Sequence, residues 1–235
     1  MPETPSKAEF DDYAADYEAM HAASVAASGE STVYFADHKV GCMQRLGVLP
    51  TDPILDYGCG IGNLTERLFP TFSEVHGFDP STKSLEVARR RAPQAKLHDR
   101  AVDVPSGYFQ CAVLSGVLHH VPPAERRELL KTVREKLRPG GRVFIFEHNP
   151  FNPVTRRAVA ACPFDDDAIL LWPREARRLV KSAGFDPVKL EYVVFFPRSL
   201  AFLRRFEPRL GWLGLGAQTL TIGEKASDSS TMPAD

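Results

Sequence analysis

At 235 residues, with 43% hydrophobic residues and a formal net charge of −1, the chain can bury a substantial core in one large α/β domain. That charge balance excludes a general polyanion binder, and no nucleic-acid partner is expected. Cys42, Cys59, Cys111 and Cys162 are neither paired nor clustered in sequence, which excludes a disulfide framework and a cysteine zinc site and reads as reduced thiols. No basic start precedes an apolar run and no stretch reaches about 18 apolar residues, so a cytoplasmic location without a transmembrane segment is expected.

Residues 1–6 and 224–235 are polar and are expected to be tails. Between 7 and 49, Phe10, Tyr13, Ala14 and Tyr17 recur at helical spacing. A small-residue break follows at Ser28-Gly29-Glu30, and a second helix is predicted from Tyr34 to Leu46. This segment precedes the first strand and reads as a helical cap.

From residue 53 the pattern alternates. Strands are predicted at 53–57, 74–79, 95–99, 109–115 and 141–147, with helices at 62–69, 82–91 and 123–137. Such alternation predicts a parallel sheet with right-handed crossovers and helices on both faces. Pro139-Gly140-Gly141 reads as the turn between a helix and the buried strand Val143-Phe144-Ile145-Phe146. An irregular stretch to about 172 follows, then a helix at 173–183 ended by Gly184, a strand at 185–195, an interruption at 197–210 and a last strand at 217–223.

The chemistry concentrates at 54–65, Ile-Leu-Asp-Tyr-Gly-Cys-Gly-Ile-Gly-Asn-Leu-Thr, where an apolar strand ends, a glycine-rich turn follows and a helix begins. Gly58, Gly60 and Gly62 let the backbone turn tightly and bring its N–H groups against a ligand. A dinucleotide fingerprint has its third glycine where this chain has Asn63. Asp56 at the strand end would repel a pyrophosphate and suits an ammonium group. A second acid, Asp79, ends the next strand about 20 residues after Gly58, where a carboxylate can accept both ribose hydroxyls. Pro80 stops that strand and Ser81 can cap the following helix.

These two motifs in order, with Leu137-Arg138-Pro139-Gly140-Gly141 before the fifth strand, resemble the class I S-adenosylmethionine-dependent methyltransferases. The resemblance covers about residues 50–223. It implies a Rossmann-like, doubly wound, mostly parallel seven-stranded sheet with an antiparallel edge hairpin, an N-terminal helical cap, and a substrate-covering insertion at about 196–212. The implied cofactor is S-adenosyl-L-methionine. Asp56 and the loop Gly58, Cys59, Gly60, Gly62 and Asn63 would hold its methionine part, Asp79 and Pro80 the ribose, and Asp99 with Arg100 beside it the adenine amino group. Ser115 would lie along the methionine moiety, with the following turn pointing toward the transferred methyl. The family's usual acid after Phe109 is replaced by Gln110.

On the acceptor side, His119, Glu147 and His148 stand at the ends of the fourth and fifth strands and are the candidate catalytic residues. His119 and His120 should diverge in a helical turn, leaving His119 toward the site. The His pair and Glu147-His148-Asn149 also read as hydrogen-bonded turns and strand ends. The acidic run Asp165-Asp166-Asp167 reads as a solvated loop or helix cap, and no metal is expected. Tyr13, Tyr17 and Tyr34 could close over the sulfonium or pack the cap onto the domain. The amphipathic stretch 194–210, with its arginines, reads as a lid, an anion holder or a membrane-surface contact.

The expected function is methyl transfer to a small-molecule acceptor at oxygen. Nitrogen or carbon transfer on a lipid-linked, sugar or secondary-metabolite substrate remains the alternative, followed by an NAD-linked oxidoreductase or a non-catalytic adenosylmethionine-binding domain.

Overall fold

The computed structural model describes residues 28–162, 165 and 168–227. Tyr13, Tyr17, Asp166, Asp167 and the expected tail 1–6 lie outside the described residues, as do 228–235. One seven-stranded sheet organises the rest. Its strands are β1 (Ile54–Tyr57), β2 (Val75–Phe78), β3 (Lys96–His98), β4 (Phe109–Ser115), β5 (Leu137–His148), β6 (Val188–Val193) and β7 (Gln218–Glu224). They lie in the order β3-β2-β1-β4-β5-β7-β6. The pairs from β3 through β5 are parallel, while β7 runs antiparallel to both β5 and β6. The expected doubly wound sheet with an antiparallel edge hairpin is therefore present. Strand order reverses between β1 and β4, the point at which such sheets open a crevice beyond their carboxyl ends.

Burial on both faces explains the apolar runs. On one face Leu55, Tyr57, Ala112, Leu114 and Val143 pack against Leu130 and Val133 of α4 (Arg126–Lys136) and Val180 of α6 (Pro173–Ser182). On the other face Ile54, Val113, Phe144 and Phe146 meet Leu64 and Leu68 of α2 (Asn63–Leu68), together with Ala36, Val40 and Met43 of α1 (Thr32–Arg45). The predicted second cap helix is thus α1, and its apolar stripe forms part of the main core. Helix α3 (Thr82–Arg91) starts as read, with Ser81 Oγ accepting from Ser84 N.

Three local expectations differ. Leu137 already pairs with Phe109, and a register shift then leads to the Cys111–Arg142 pair, so Pro139-Gly140-Gly141 bulges within β5 instead of preceding it. The expected irregular stretch contains α5 (Pro153–Ala160), started by Pro153 at its first turn and by Asn152 accepting from Val154 N and Thr155 N. At the other end β7 continues through Glu224, and Lys225 Nζ donates to Leu137 O at 2.6 Å, so the first two residues of the expected tail belong to the fold. Residues Arg198–Arg209 between β6 and β7 form 3-10 turns broken at Leu200. Among the described residues no helix is long and apolar enough to cross a membrane.

Candidate active site

The glycine loop leaves β1 and is tied to β2 by its backbone. Gly58 N and Cys59 N donate to Phe78 O at 2.7 and 2.9 Å, and Gly60 N donates to Asp79 Oδ2 at 2.8 Å. Asp79 Oδ1 accepts from Ser81 N at 2.9 Å. Gly58 has φ 80°, and a Cβ there would lie 2.6 Å from Val117 Cγ2, so the turn admits only glycine without a shift. Gly62, at φ 84°, sits at the N-terminus of α2.

Beneath this loop Asp56 is fully buried and accepts from Thr65 Oγ1 at 2.7 Å. Burial raises its carboxyl to about 7, the nearby Asp79 charge adding to the shift and the Thr65 hydrogen bond and Lys39 opposing it. Lys39 projects from α1 with its ammonium 5.9 Å from the centre of the Phe146 ring. Burial lowers its amine to about 8, while Asp56 and Glu147 favour its charge. Lys39 and Thr65 escaped the sequence reading. Lys39 was detectable as a lone cation inside the apolar face Ala36, Val40, Met43.

Other expected cofactor residues divide. Cys59 is buried in the loop, Pro80 is exposed beside Asp79, and half-buried Ser115 ends β4 opposite Phe146. Asp99 and Arg100 are exposed; His98 O, just before them, accepts from Asp79 N at 3.2 Å, which brings them to the same rim. Arg100 Nε stands 3.9 Å from Asp103. Asn63 Oδ1 accepts from Arg91 Nη1 at 2.6 Å, tying α2 to α3.

The acceptor-side residues come together tightly. Glu147, at the end of β5, accepts from Val117 N at 3.2 Å, Leu118 N at 2.8 Å and His119 Nδ1 at 2.5 Å. The 3-10 turn Leu118–His120, which follows β4, is thereby fastened to the end of the neighbouring strand β5. His119 Nε2 then points to Asp165 Oδ1 at 3.4 Å. His120 does not diverge as expected: its ring lies 4.1 Å from that of His119, tilted by 51°, and its Nε2 is 3.6 Å from the same oxygen. His148 completes the group, its ring 5.1 Å from His119 and its Nε2 4.0 Å from Asp165 Oδ2.

Asp165, read from sequence as a solvated loop acid, is held here by long-range bonds that no local pattern announces. Ile169 N donates to His119 O at 2.9 Å, and buried Arg126 clamps the segment by donating to Val121 O at 2.8 Å and Ile169 O at 2.7 Å. Burial opposes a charge on His119, but the flanking Glu147 and Asp165 outweigh it and push its pKa up. Burial and the neighbouring positive His119 hold His148 down to about 4.

Over this rim, Asn149 Nδ2 donates to Gly214 O at 3.0 Å and Gly216 O at 2.6 Å, which anchors the chain that follows the insertion. Of the two readings of Tyr34, the packing one holds: its ring packs against the core, with the Arg204 guanidinium 4.2 Å over it. Arg204 itself is engaged by Glu30 at 2.7 Å and by Phe196 O, which removes it from the candidate anion holders.

Comparison with known proteins agrees with this geometry. Residues 41–190 match the family model described as a methyltransferase domain. An uncharacterized methyltransferase of Synechocystis is 32% identical over 114 residues, 47% of this chain and 54% of the relative. The ubiquinone biosynthesis O-methyltransferase of Cupriavidus pinatubonensis is 24% identical over 178 residues, 68% of this chain and 71% of the relative. The chain thus spans about half the length of some of the curated relatives it matches. Among solved structures, a possible histamine N-methyltransferase from Thermotoga maritima superposes with a TM-score of 0.65 at 18% identity, covering 92% of this chain and 97% of that one. The magnesium protoporphyrin IX methyltransferase of Synechocystis, with bound cofactor, gives 0.56 at 15% identity, covering 83% and 79%. With a family model matched over most of its length and the sheet, glycine loop and paired acids in place, the chain belongs to the methyltransferase-domain family, with the class I S-adenosylmethionine-dependent fold.

Proposed function

We propose that the chain transfers the methyl group of S-adenosylmethionine to an oxygen of a small-molecule acceptor. The cofactor lies over the glycine loop, with its ammonium toward Asp56 and its ribose at Asp79, and Asp99 and Ser115 border the same crevice. The observation that carries the reading is the cluster His119, Glu147 and His148 at the carboxyl ends of β4 and β5, across the crevice from that loop.

Methyl transfer is an in-line displacement at a sulfonium carbon. Holding the acceptor at near-attack distance supplies much of the acceleration, and a hydroxyl acceptor must also lose its proton. Glu147 is a positioning residue: it accepts three hydrogen bonds and fixes the His119 ring with Nδ1 inward and Nε2 outward. His148, with a side chain 29% exposed, is the imidazole open to an incoming acceptor. The ubiquinone biosynthesis O-methyltransferases among the relatives support oxygen over nitrogen. Asn63 in place of the third fingerprint glycine, and Asp56 before the loop, speak against an NAD-linked oxidoreductase.

The test is transfer of isotope from methyl-labelled cofactor to a panel of hydroxyl, amine and carbon acceptors. His119→Gln keeps a hydrogen-bonding side chain but no ionisable ring. It should leave cofactor affinity nearly unchanged and lower the transfer rate by roughly 10²–10⁴-fold. Wild-type turnover in that variant would remove His119 from the chemistry, and label found only on nitrogen would overturn the oxygen assignment.

A further inference from the structure

Three ligand atoms converge beside the acceptor rim: His119 Nε2, His120 Nε2 and a carboxylate oxygen of Asp165, all within 4.8 Å of one another. Their closest separations, 3.4 Å from His119 Nε2 to Asp165 Oδ1 and 3.6 Å from His120 Nε2 to that oxygen, have a definite meaning. Two ligands each about 2.0–2.1 Å from a tetrahedral zinc ion stand roughly 3.4 Å apart. The spacing is therefore that of one coordination edge.

The surroundings match a metal site in three further respects. His119 is oriented from behind, because Nδ1 donates to Glu147 at 2.5 Å and turns Nε2 toward Asp165, where an ion would take the place of the Nε2 proton. A carboxylate behind a histidine is the usual outer support of a ligating imidazole. The third ligand is brought in on purpose-built scaffolding: Ile169 N on His119 O, locked by buried Arg126 on Ile169 O and Val121 O. Finally, exposure rises outward from 2% at His119 through 11% at Asp165 and 15% at His120 to 29% at His148, which gives an ion a way in.

We propose that His119, His120 and Asp165 form a binding site for one divalent transition-metal ion. Two imidazoles with one carboxylate suit zinc and its neighbours, whereas magnesium prefers an all-oxygen shell with several waters. Three protein ligands leave a fourth position, at whose edge His148 Nε2 lies 4.0 Å from Asp165 Oδ2. A site of that kind takes water or a substrate oxygen and acidifies it. This last consequence rests on the proposed methyl transfer to oxygen, while the metal site itself does not. The sequence hid the site because its ligands come from two distant segments, and only Asp165 of the acidic run is among the described residues.

The experiment uses the chelator-stripped full chain, titrated with zinc or cobalt(II) alone by calorimetry, with magnesium as comparison and with cobalt absorption as a report on geometry. One zinc or cobalt per chain is expected, with a tetrahedral-type cobalt spectrum and a zinc-induced rise in melting temperature. His120→Ala and Asp165→Asn should each weaken zinc at least about tenfold, while Cys162→Ser leaves it unchanged. Each variant is compared through its own metal-free melting curve, so that a folding defect is not read as a lost ligand. Absence of zinc and cobalt binding by the folded wild-type chain, wild-type zinc affinity in both ligand variants, or binding of magnesium alone would overturn the inference. S-adenosylhomocysteine binding is measured on the same sample. Its presence without zinc binding overturns only the metal site, and zinc binding without it overturns only the methyltransferase reading.

Discussion

Asp56→Asn separates the cost of the buried acid from its use. The substitution removes a charge but keeps the shape and an oxygen for Thr65 Oγ1, which donates to Asp56 at 2.7 Å. Burial lifts the carboxyl from 3.8 to about 7. At 1.36 kcal/mol per unit, the ionised side chain costs the empty protein at most about 4 kcal/mol. Lys39, itself lowered from 10.5 to about 8 by burial, loses a favourable neighbour in the variant and gives part of this back. A net gain of about 1–3 kcal/mol is expected at pH 8, or roughly 2–10 °C in melting temperature.

The sign follows from linkage. A folded pKa above the unfolded one means that the native chain holds the extra proton, so the stability contributed by Asp56 is full below about pH 4 and is lost as pH rises through about 7. The Asn variant lacks this titration. Its advantage in scanning calorimetry should be small below about pH 4, grow steadily between about pH 4 and 7, and be complete at pH 8. The same variant should bind S-adenosylhomocysteine more weakly by about 1.5–3 kcal/mol, because the ligand's ammonium loses a charged partner. A variant that melts below the wild type at pH 8 and keeps its ligand affinity would refute the reasoning on both counts.

Arg126→Met should cost about 2–4 kcal/mol, since it strips donors from the carbonyls of Val121 and Ile169 in a buried setting. It should also speed hydrogen exchange at the Ile169 amide, and unchanged melting with unchanged exchange would show that Arg126 does not hold Asp165 in place. Gly58→Ala forces a side chain onto a φ of 80° and against Val117. A loss of about 1–3 kcal/mol and a clear loss of S-adenosylhomocysteine affinity are expected, and an unaltered dissociation constant would separate this turn from the cofactor.

The parallel sheet and the cofactor-side crevice were legible because their determinants are local. Apolar runs buried on both faces set β1, β2, β4 and β5, and Gly58, Gly62, Asp56 and Asp79 declare the loop by spacing alone. The strands were read from pattern, but their order and the antiparallel edge hairpin came from resemblance to a family, since periodicity does not reveal that β7 lies between β5 and β6. Helix α5 was missed although Asn152-Pro153 is a start signal, because the apolar stripe that follows is weak and carries Arg156 and Arg157. The hydrogen bond from Arg91 to Asn63, 28 residues apart, was not visible in the sequence either. The acceptor rim was half visible. His119, Glu147 and His148 were named from strand ends, whereas the approach of Asp165 and His120 depends on the Arg126 clamp and on contacts between distant segments that spacing along the chain does not show.

Calorimetric titration of the purified chain with S-adenosylhomocysteine, beside NAD as comparison, tests the central claim most directly. The glycine loop tied to Asp79 and the buried Asp56 predict one molecule of S-adenosylhomocysteine bound per chain and no detectable heat with NAD. NAD binding at comparable affinity, with no binding of the adenosyl ligand, would contradict the account.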